Sequence, residues 1–104
     1  MAQMLVIYRE PADPAAFEEH YFRVHVPLAK RLPGLRRYEV SQQAAASLAG
    51  DPAPYLVATL TFDDLTAVRR AFATPEGKAC AADRRILAPN DADLQMYLFE
   101  SKVV

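Results

Sequence analysis

The sequence predicts an α+β fold in which helical segments pack on one face of a four-stranded antiparallel sheet. Strand-like and helical segments follow one another in the order β-α-β-β-α-β, turn-forming residues separate them, and the strands carry apolar side chains on both faces. Two βαβ halves joined by a central hairpin give a ferredoxin-like βαββαβ layer. We expect residues 1–104 to form one domain of this kind.

The first half of the chain predicts a strand followed by an interrupted helix. The strand covers residues 4–9, which are rich in Val, Ile and Tyr. Asp13 and Pro14 are typical of a helix start, because the carboxylate caps free N–H groups and the first turn needs no N–H from proline. Pro27 cannot donate to the carbonyl of Arg23, so we expect a kink or break there. The apolar stripe of this helix is Phe17, Tyr21, Val24, Leu28 and Leu32.

The second half predicts three strands and a two-part helix. Residues 44–54 contain Gly50 and two prolines and predict a long hairpin loop. Asp63 and Asp64 offer caps for a second helix, and Thr74 with Pro75 restarts that helix until about residue 87. The predicted strands are 35–43, 55–62 and 94–101.

Both faces of the predicted sheet are apolar, whereas an antiparallel sheet with one wet face alternates cleanly. In the first strand Met4, Val6 and Tyr8 oppose Leu5 and Ile7, and the third and last strands repeat this pattern. The helices can cover one face only, and soluble monomers rarely expose a large apolar patch. We therefore expect a homodimer in which two sheets face each other and close a barrel, a dimeric α/β barrel. The alternative is that the loop of residues 44–54 covers the second face.

Composition narrows the classes of partner. The formal net charge is −1, which argues against a nucleic-acid or membrane-surface protein. No apolar run approaches the length of a membrane span or a signal peptide. Cys80 is the only cysteine and lies among alanines, which indicates a packing residue and a reducing, cytoplasmic location. The short Arg and Lys pairs are interpreted as solvated surface: 30–31, 36–37, 69–70 and 84–85.

His25 is the most informative polar residue. It follows Tyr21 by four residues, so the two side chains are helical neighbours at the edge of the apolar stripe. A half-buried imidazole can move a proton near neutral pH, and a nearby phenol can orient it. The alternative is a structural histidine that binds a carbonyl freed by Pro27.

Two further residues could extend this site. Asp83 could reach inward and polarise an acid–base partner, or it could be a surface carboxylate paired with a neighbouring arginine or lysine. His20 lies five residues before His25, and an α-helix would point the two to different sides. We therefore expect His20 to be a solvated surface residue and expect no metal site.

The strand tyrosines are candidate ligand-binding residues. If their rings line the barrel, their hydroxyls offer hydrogen bonds inside an apolar chamber. The alternative is ordinary packing with hydroxyls at the rim. These residues are Tyr8, Tyr38, Tyr55 and Tyr97.

Several segments resemble the EthD family, named for ethyl tert-butyl ether degradation, of the dimeric α/β barrel superfamily. The similar stretches are FEEHYFRVHVPL at 17–28, LPGLRRY at 32–38, Tyr55 after proline, TPEG at 74–77 and Asp83. The resemblance covers nearly the whole chain. It departs after Asp83, where Arg84-Arg85-Ile86-Leu87 replaces a family-typical aromatic.

The resemblance implies a small protein that binds a small hydrophobic carbonyl or polyketide-like compound in an apolar barrel cavity. Some relatives act without a cofactor by dehydration, decarboxylation or cyclisation. Carried over to this chain, His25 would be the acid–base residue, and Tyr21, Asp83 and the strand tyrosines would assist it. The alternative is a non-catalytic accessory or carrier protein of a degradation pathway.

Overall fold

A computed structural model describes all of residues 1–104 and shows the predicted order of strands and helices. The elements are β1 Ala2–Tyr8, α1 Pro14–His20, a π-helical turn Tyr21–His25, α2 Val26–Ala29, β2 Arg37–Val40, β3 Leu56–Phe62, α3 Leu65–Ala73, α4 Pro75–Leu87, a 3₁₀ turn Asp91–Asp93 and β4 Leu94–Glu100. Helices α1, α3 and α4 begin at the caps that the sequence predicts. A carboxylate oxygen of Asp13 accepts from the Ala16 N–H at 3.1 Å, and one of Asp64 accepts from the Ala67 N–H at 2.7 Å.

The four strands form one antiparallel sheet in the order β2-β3-β1-β4. This order confirms the predicted ferredoxin-like α+β fold, with both βαβ halves split by a strand of the other half. Strand β2 is shorter than the predicted 35–43. It is flanked by two residues with positive φ, Gly34 at 79° and Gln43 at 64°, which turn the chain away from the sheet on either side.

The helices cover one face of the sheet, as the strand pattern predicts. The covered face of β1 carries Val6 and Tyr8, and that of β3 carries Leu56, Leu60 and Phe62, all of them buried. Side chains of the helices complete the core against them, with Phe17, Tyr21 and Val68 buried most fully among the large residues. The core therefore lies between the helix layer and this face.

Helices α3 and α4 meet at a glycine. A Cβ added to Gly77 would lie 2.2 Å from the carbonyl oxygen of Ala71 and 2.4 Å from the Cα of Phe72. Thr74 caps the start of α4 by accepting from the Gly77 N–H at 3.1 Å. The absence of a side chain at Gly77 thus allows α4 to pack directly on the end of α3, which sets the position of the residues that follow it in α4.

The edge strand β4 exposes apolar side chains on both faces. Met96, Tyr97, Leu98 and Phe99 are consecutive, and each is between 44 and 50% exposed. Leu5 pairs with Tyr97 on the face that carries no helix. An uncovered apolar edge of this kind is typical of a surface that pairs with another chain. None of the helices has the length and apolar character needed to cross a membrane.

Candidate functional site

The helix is interrupted just before Pro27, as the sequence predicts, by one turn of π-helix. The Val26 N–H donates to the Tyr21 carbonyl, five residues earlier. Pro27 has no N–H for the Arg23 carbonyl, and its ring crowds that group, so a regular α-helical ladder cannot pass through this point. Because a π-helix bonds residues five apart, it brings residues i and i+5 close to the same side of the helix.

The π turn places two histidines on one carboxylate. Nε2 of His20 lies 2.7 Å from Oδ1 of Asp83, and Nδ1 of His25 lies 2.9 Å from Oδ2. The prediction that His20 is a solvated surface residue is therefore wrong. It assumed α-helical spacing between His20 and His25, and the wide turn replaces that spacing.

Asp83 reaches inward from α4 rather than pairing with a surface cation. Asp83 is 6% exposed, and each of its carboxylate oxygens binds one imidazole nitrogen. A carboxylate in this position holds the ring of a histidine in one orientation and favours the tautomer with hydrogen on the bound nitrogen. Asp83 thus fixes Nδ1 of His25 as the donor and leaves Nε2 as the acceptor.

His25 is buried, and its imidazole is uncharged at neutral pH. Burial lowers the pKa of its imidazole below the usual 6.5, and the hydrogen bond that Nδ1–H donates to Asp83 opposes this shift only in part. Asp83 is the only hydrogen-bond partner of the ring, yet no buried side-chain nitrogen or oxygen in the chain lacks a partner. Nε2 must therefore be open to accessible space, with its lone pair free to accept a proton.

That space is a cavity of about 260 Å³ on the helix-covered side of the sheet. Its floor is formed by covered-face residues of β1, β3 and β4, and its roof by α4 and the end of α3. The prediction that His25 faces a chamber between two sheets is therefore wrong, because the cavity beside His25 lies within one chain. Small α4 side chains above the sheet leave room for it. The lining residues are Met4, Val6, Tyr8, His25, Leu60, Phe72, Cys80, Ala81, Arg84, Arg85 and Met96.

Tyr8 is the strand tyrosine that lines this cavity with His25. It is 2% exposed, and none of the side-chain hydrogen bonds of the chain involves its hydroxyl, which must therefore reach accessible space because no buried side-chain oxygen lacks a partner. Burial raises the pKa of the Tyr8 phenol above its usual value, which keeps the hydroxyl protonated and able to donate. Tyr8 also borders a more open groove on the other side, where His20 contributes to the wall.

Tyr21 and Tyr38 support His25 without opening on the cavity. The Tyr21 ring lies 5.3 Å from the His25 ring between centroids, which confirms that the two are helical neighbours. The hydroxyls of Tyr21 and Tyr38 lie 2.6 Å apart, so each phenol is the hydrogen-bond partner of the other. Burial raises the pKa of Tyr38 to about 12 and raises that of Tyr21 as well. These two residues hold the helix against the sheet.

The structure places the other two predicted tyrosines outside the cavity. Tyr97 lies on the face without helices, opposite Leu5, because the period of two in a strand points it away from Met96. Tyr55 precedes β3, packs edge-on against Phe17 and borders a separate surface depression. The expectation that all four tyrosines line one chamber is therefore wrong.

Arg84 and Arg85 line the cavity, although the sequence pattern led us to interpret them as solvated surface. Arg84 follows Cys80 by one helical turn, and this spacing could have revealed the shared face.

Cys80 is buried in the cavity wall, where desolvation raises the pKa of its thiol to about 11. No three His, Cys, Asp or Glu side chains are arranged to hold a metal ion.

Comparison with known proteins gives consistent matches over most of the chain. The EthD domain model matches residues 9–88. An uncharacterised 11.0 kDa protein from the thcB–thcC intergenic region of Rhodococcus erythropolis is 42% identical over 84 residues, 80% of either chain.

Solved structures share the fold, among them two from Bacillus halodurans and Thermobifida fusca. The crystal structure of an EthD family protein from Bacillus halodurans superposes with a TM-score of 0.86 at 33% identity, covering 98% of this chain and 99% of the other. A dimeric ferredoxin-like protein from Thermobifida fusca gives a TM-score of 0.67 at 19% identity, covering 94% and 88%. The family model, the relative and the first of these structures agree, and the chain belongs to the EthD family.

Proposed function

We propose that the cavity binds a small apolar carbonyl compound and that His25 moves a proton on it without a cofactor. The supporting observation is the pairing of two polar groups at one apolar cavity: Nε2 of His25 and the hydroxyl of Tyr8, neither with a partner in the chain. Small-molecule sites are commonly apolar with a few convergent polar groups of this kind.

The two groups suit proton transfer next to a carbonyl. Neutral His25 takes a proton from the carbon beside the carbonyl at Nε2, and the C–H electron pair moves onto the carbonyl oxygen. The Tyr8 hydroxyl donates a hydrogen bond to the oxygen that becomes negative. Asp83 stabilises the imidazolium through Nδ1–H. Return of the proton to another atom of the compound completes an isomerisation, and its transfer to a leaving hydroxyl completes a dehydration.

His20 has a positioning role in this proposal. It occupies the second oxygen of Asp83 and so holds the carboxylate with Oδ2 towards His25. Without it, Asp83 would retain one buried oxygen with no partner, at a cost of about 1–3 kcal/mol, and its rotamer would be less well defined.

Exchange of α-protons tests the proposal without a known substrate. We expect the protein to accelerate deuterium incorporation into 2-tetralone in D₂O, measured by proton NMR. His25→Gln should reduce the accelerated rate at least about 100-fold, the usual contribution of a general base. Tyr55→Phe is the matched control, since Tyr55 lies outside the cavity. Full exchange activity in the His25 variant would overturn the catalytic role.

Binding without exchange would instead favour a non-catalytic accessory or carrier protein. The cavity offers one base and one phenol among predominantly apolar side chains, which also suits a protein that only holds a hydrophobic compound. In that case ligands such as 2-tetralone would raise the unfolding temperature. They would do so equally in the wild type and in His25→Gln.

We also propose a homodimer. The apolar strand β4 and the uncovered face beside it, with Leu5 and Ile7 on β1, support it, and the T. fusca protein of the same fold is described as dimeric. Sedimentation at micromolar concentration should give twice the subunit mass. Phe99→Glu should dissociate the dimer, while Lys102→Glu, beyond the strand, should not. A stable, folded single subunit in the wild type would contradict this.

A further inference from the structure

We propose that the compound bound beside His25 is a small apolar acid whose carboxylate is held by Arg84 at the mouth of the cavity, with Arg85 adding positive charge. The inference rests on the proposed function, because it names the substrate class of the same cavity. It follows from the charges that line the cavity and from the free donors of Arg84.

The charged groups on the lining are all cationic. Arg84 and Arg85 contribute two positive charges, and no Asp or Glu is among the lining residues. Asp83, whose carboxylate binds the cavity residue His25, has both oxygens occupied by His20 and His25. Since the whole chain has a formal net charge of −1, this positive surface is a local feature rather than a general one.

Arg84 is half-buried and has no carboxylate partner. One of its terminal nitrogens donates to the Ala88 carbonyl at 3.1 Å, which fixes the side chain along the end of α4. A guanidinium has five N–H donors, so most of those on Arg84 remain available. The ion pairs of the chain's arginines involve Arg23, Arg36 and Arg37 instead. A partly desolvated guanidinium without an acid is a ready site for a carboxylate.

The charge of Arg84 reaches the reacting groups. It lowers the pKa of both His25 and Tyr8, although burial dominates the shift at each residue. Because Arg84, Tyr8 and His25 line the same cavity, a carboxylate on Arg84 would leave the body of the ligand against the apolar floor between them. The volume of about 260 Å³ suits a body of one or two rings and is too small for a nucleotide-sized molecule.

Matched ligands test this directly. Binding of 2-naphthoate, 2-naphthamide and 2-naphthyl phosphate would be measured by calorimetry on the wild type, Arg84→Gln and Arg84→Met. The first variant removes the charge and retains a donor for Ala88, so it guards against misfolding at the end of α4. Arg69→Gln, an exposed arginine on α3, is the control.

The expected result is tighter binding of naphthoate than of naphthamide. Both Arg84 variants should weaken naphthoate at least about tenfold and leave naphthamide within about twofold, as for loss of a hydrogen bond to a charged group. Equal affinity of the two ligands in the wild type would overturn the carboxylate inference and leave the cavity proposal standing. Tighter binding of naphthyl phosphate would also overturn it. Failure of all three ligands to bind would overturn both proposals.

Discussion

His20 and His25 are five residues apart, and their rings bind the two oxygens of the same buried carboxylate, at 2.7 and 2.9 Å from Asp83. A regular α-helix would separate these rings, and the π turn over Tyr21–His25 unites them. The arrangement gives His25 a fixed tautomer and leaves its second nitrogen on an apolar cavity. Several measurable properties depend on it.

The stability of the fold should decrease on acidification in a way that depends on His25. Burial lowers the pKa of His25 in the folded state below the 6.5 of a free imidazole. The unfolded chain therefore binds more protons below about pH 6.5, and stability falls from that pH down towards the lowered folded pKa. The contribution is fully present above pH 6.5.

Denaturant unfolding between pH 5 and 8 measures this effect. His25→Gln should have a shallower dependence of unfolding free energy on pH, by up to about one proton per molecule. Phe22→Gln, an exposed position on the same turn, should keep the wild-type slope. Identical slopes in the wild type and the His25 variant would contradict a lowered pKa.

Removal of the hydroxyls of Tyr21 and Tyr8 should have opposite consequences. Tyr21→Phe leaves the Tyr38 hydroxyl without its partner and should cost about 1–3 kcal/mol of unfolding free energy. Tyr8→Phe breaks no hydrogen bond within the chain, so its stability should stay within about 0.5 kcal/mol of the wild type. It should nevertheless slow α-proton exchange, because the donor to the carbonyl oxygen is lost. Thermal and denaturant unfolding with the exchange assay distinguish the two, and a large loss of stability in Tyr8→Phe would be inconsistent with an unpartnered hydroxyl.

Gly77 should tolerate no side chain. Its substitution by Ala would place a Cβ against the backbone of Ala71 and Phe72, and we expect a loss of about 1–3 kcal/mol, as for overpacked cores. Gly50→Ala is the matched control, since nothing lies within 4 Å of its added Cβ, and it should change stability by less than about 0.5 kcal/mol. Equal unfolding midpoints for the two variants would show that α3 and α4 are not packed as described.

Cys80 reports on occupation of the cavity. Desolvation raises the pKa of its thiol to about 11, so it should react slowly with Ellman's reagent at pH 8 compared with the denatured chain. A ligand in the cavity should slow it further, because Cys80 is part of the wall. Rates of absorbance change with and without 2-naphthoate check this. Reaction as fast as in the denatured chain would show that the wall is open.

The fold could be predicted from the sequence because its determinants are local. The period of two separated Val6 and Tyr8, which are buried, from Leu5 and Ile7 on the other face, and Asp13, Asp64 and Thr74 cap the helices as expected. The uncovered apolar face followed from the same pattern. Each of these features depends on neighbours within a few residues, so the pattern contains the information.

The candidate site was only partly predictable, because it depends on tertiary contacts. His25, Tyr21 and Asp83 were identified, yet the pairing of His20 and His25 on one carboxylate requires a π turn that helical periodicity does not reveal. The cavity depends on how far α4 stands above the sheet. Its small residues Cys80 and Ala81 mark that space only after the helix has been positioned.

The tautomer of His25 is the measurement closest to the proposed chemistry. Long-range nitrogen–proton NMR at pH 7.5 should show hydrogen on Nδ1 and a bare Nε2 in the wild type, because Asp83 accepts only from Nδ1. In Asp83→Asn the amide can donate to Nδ1, and hydrogen should then move to Nε2. A wild-type His25 that carries its hydrogen on Nε2, or that is fully protonated at this pH, would contradict a general base facing the cavity.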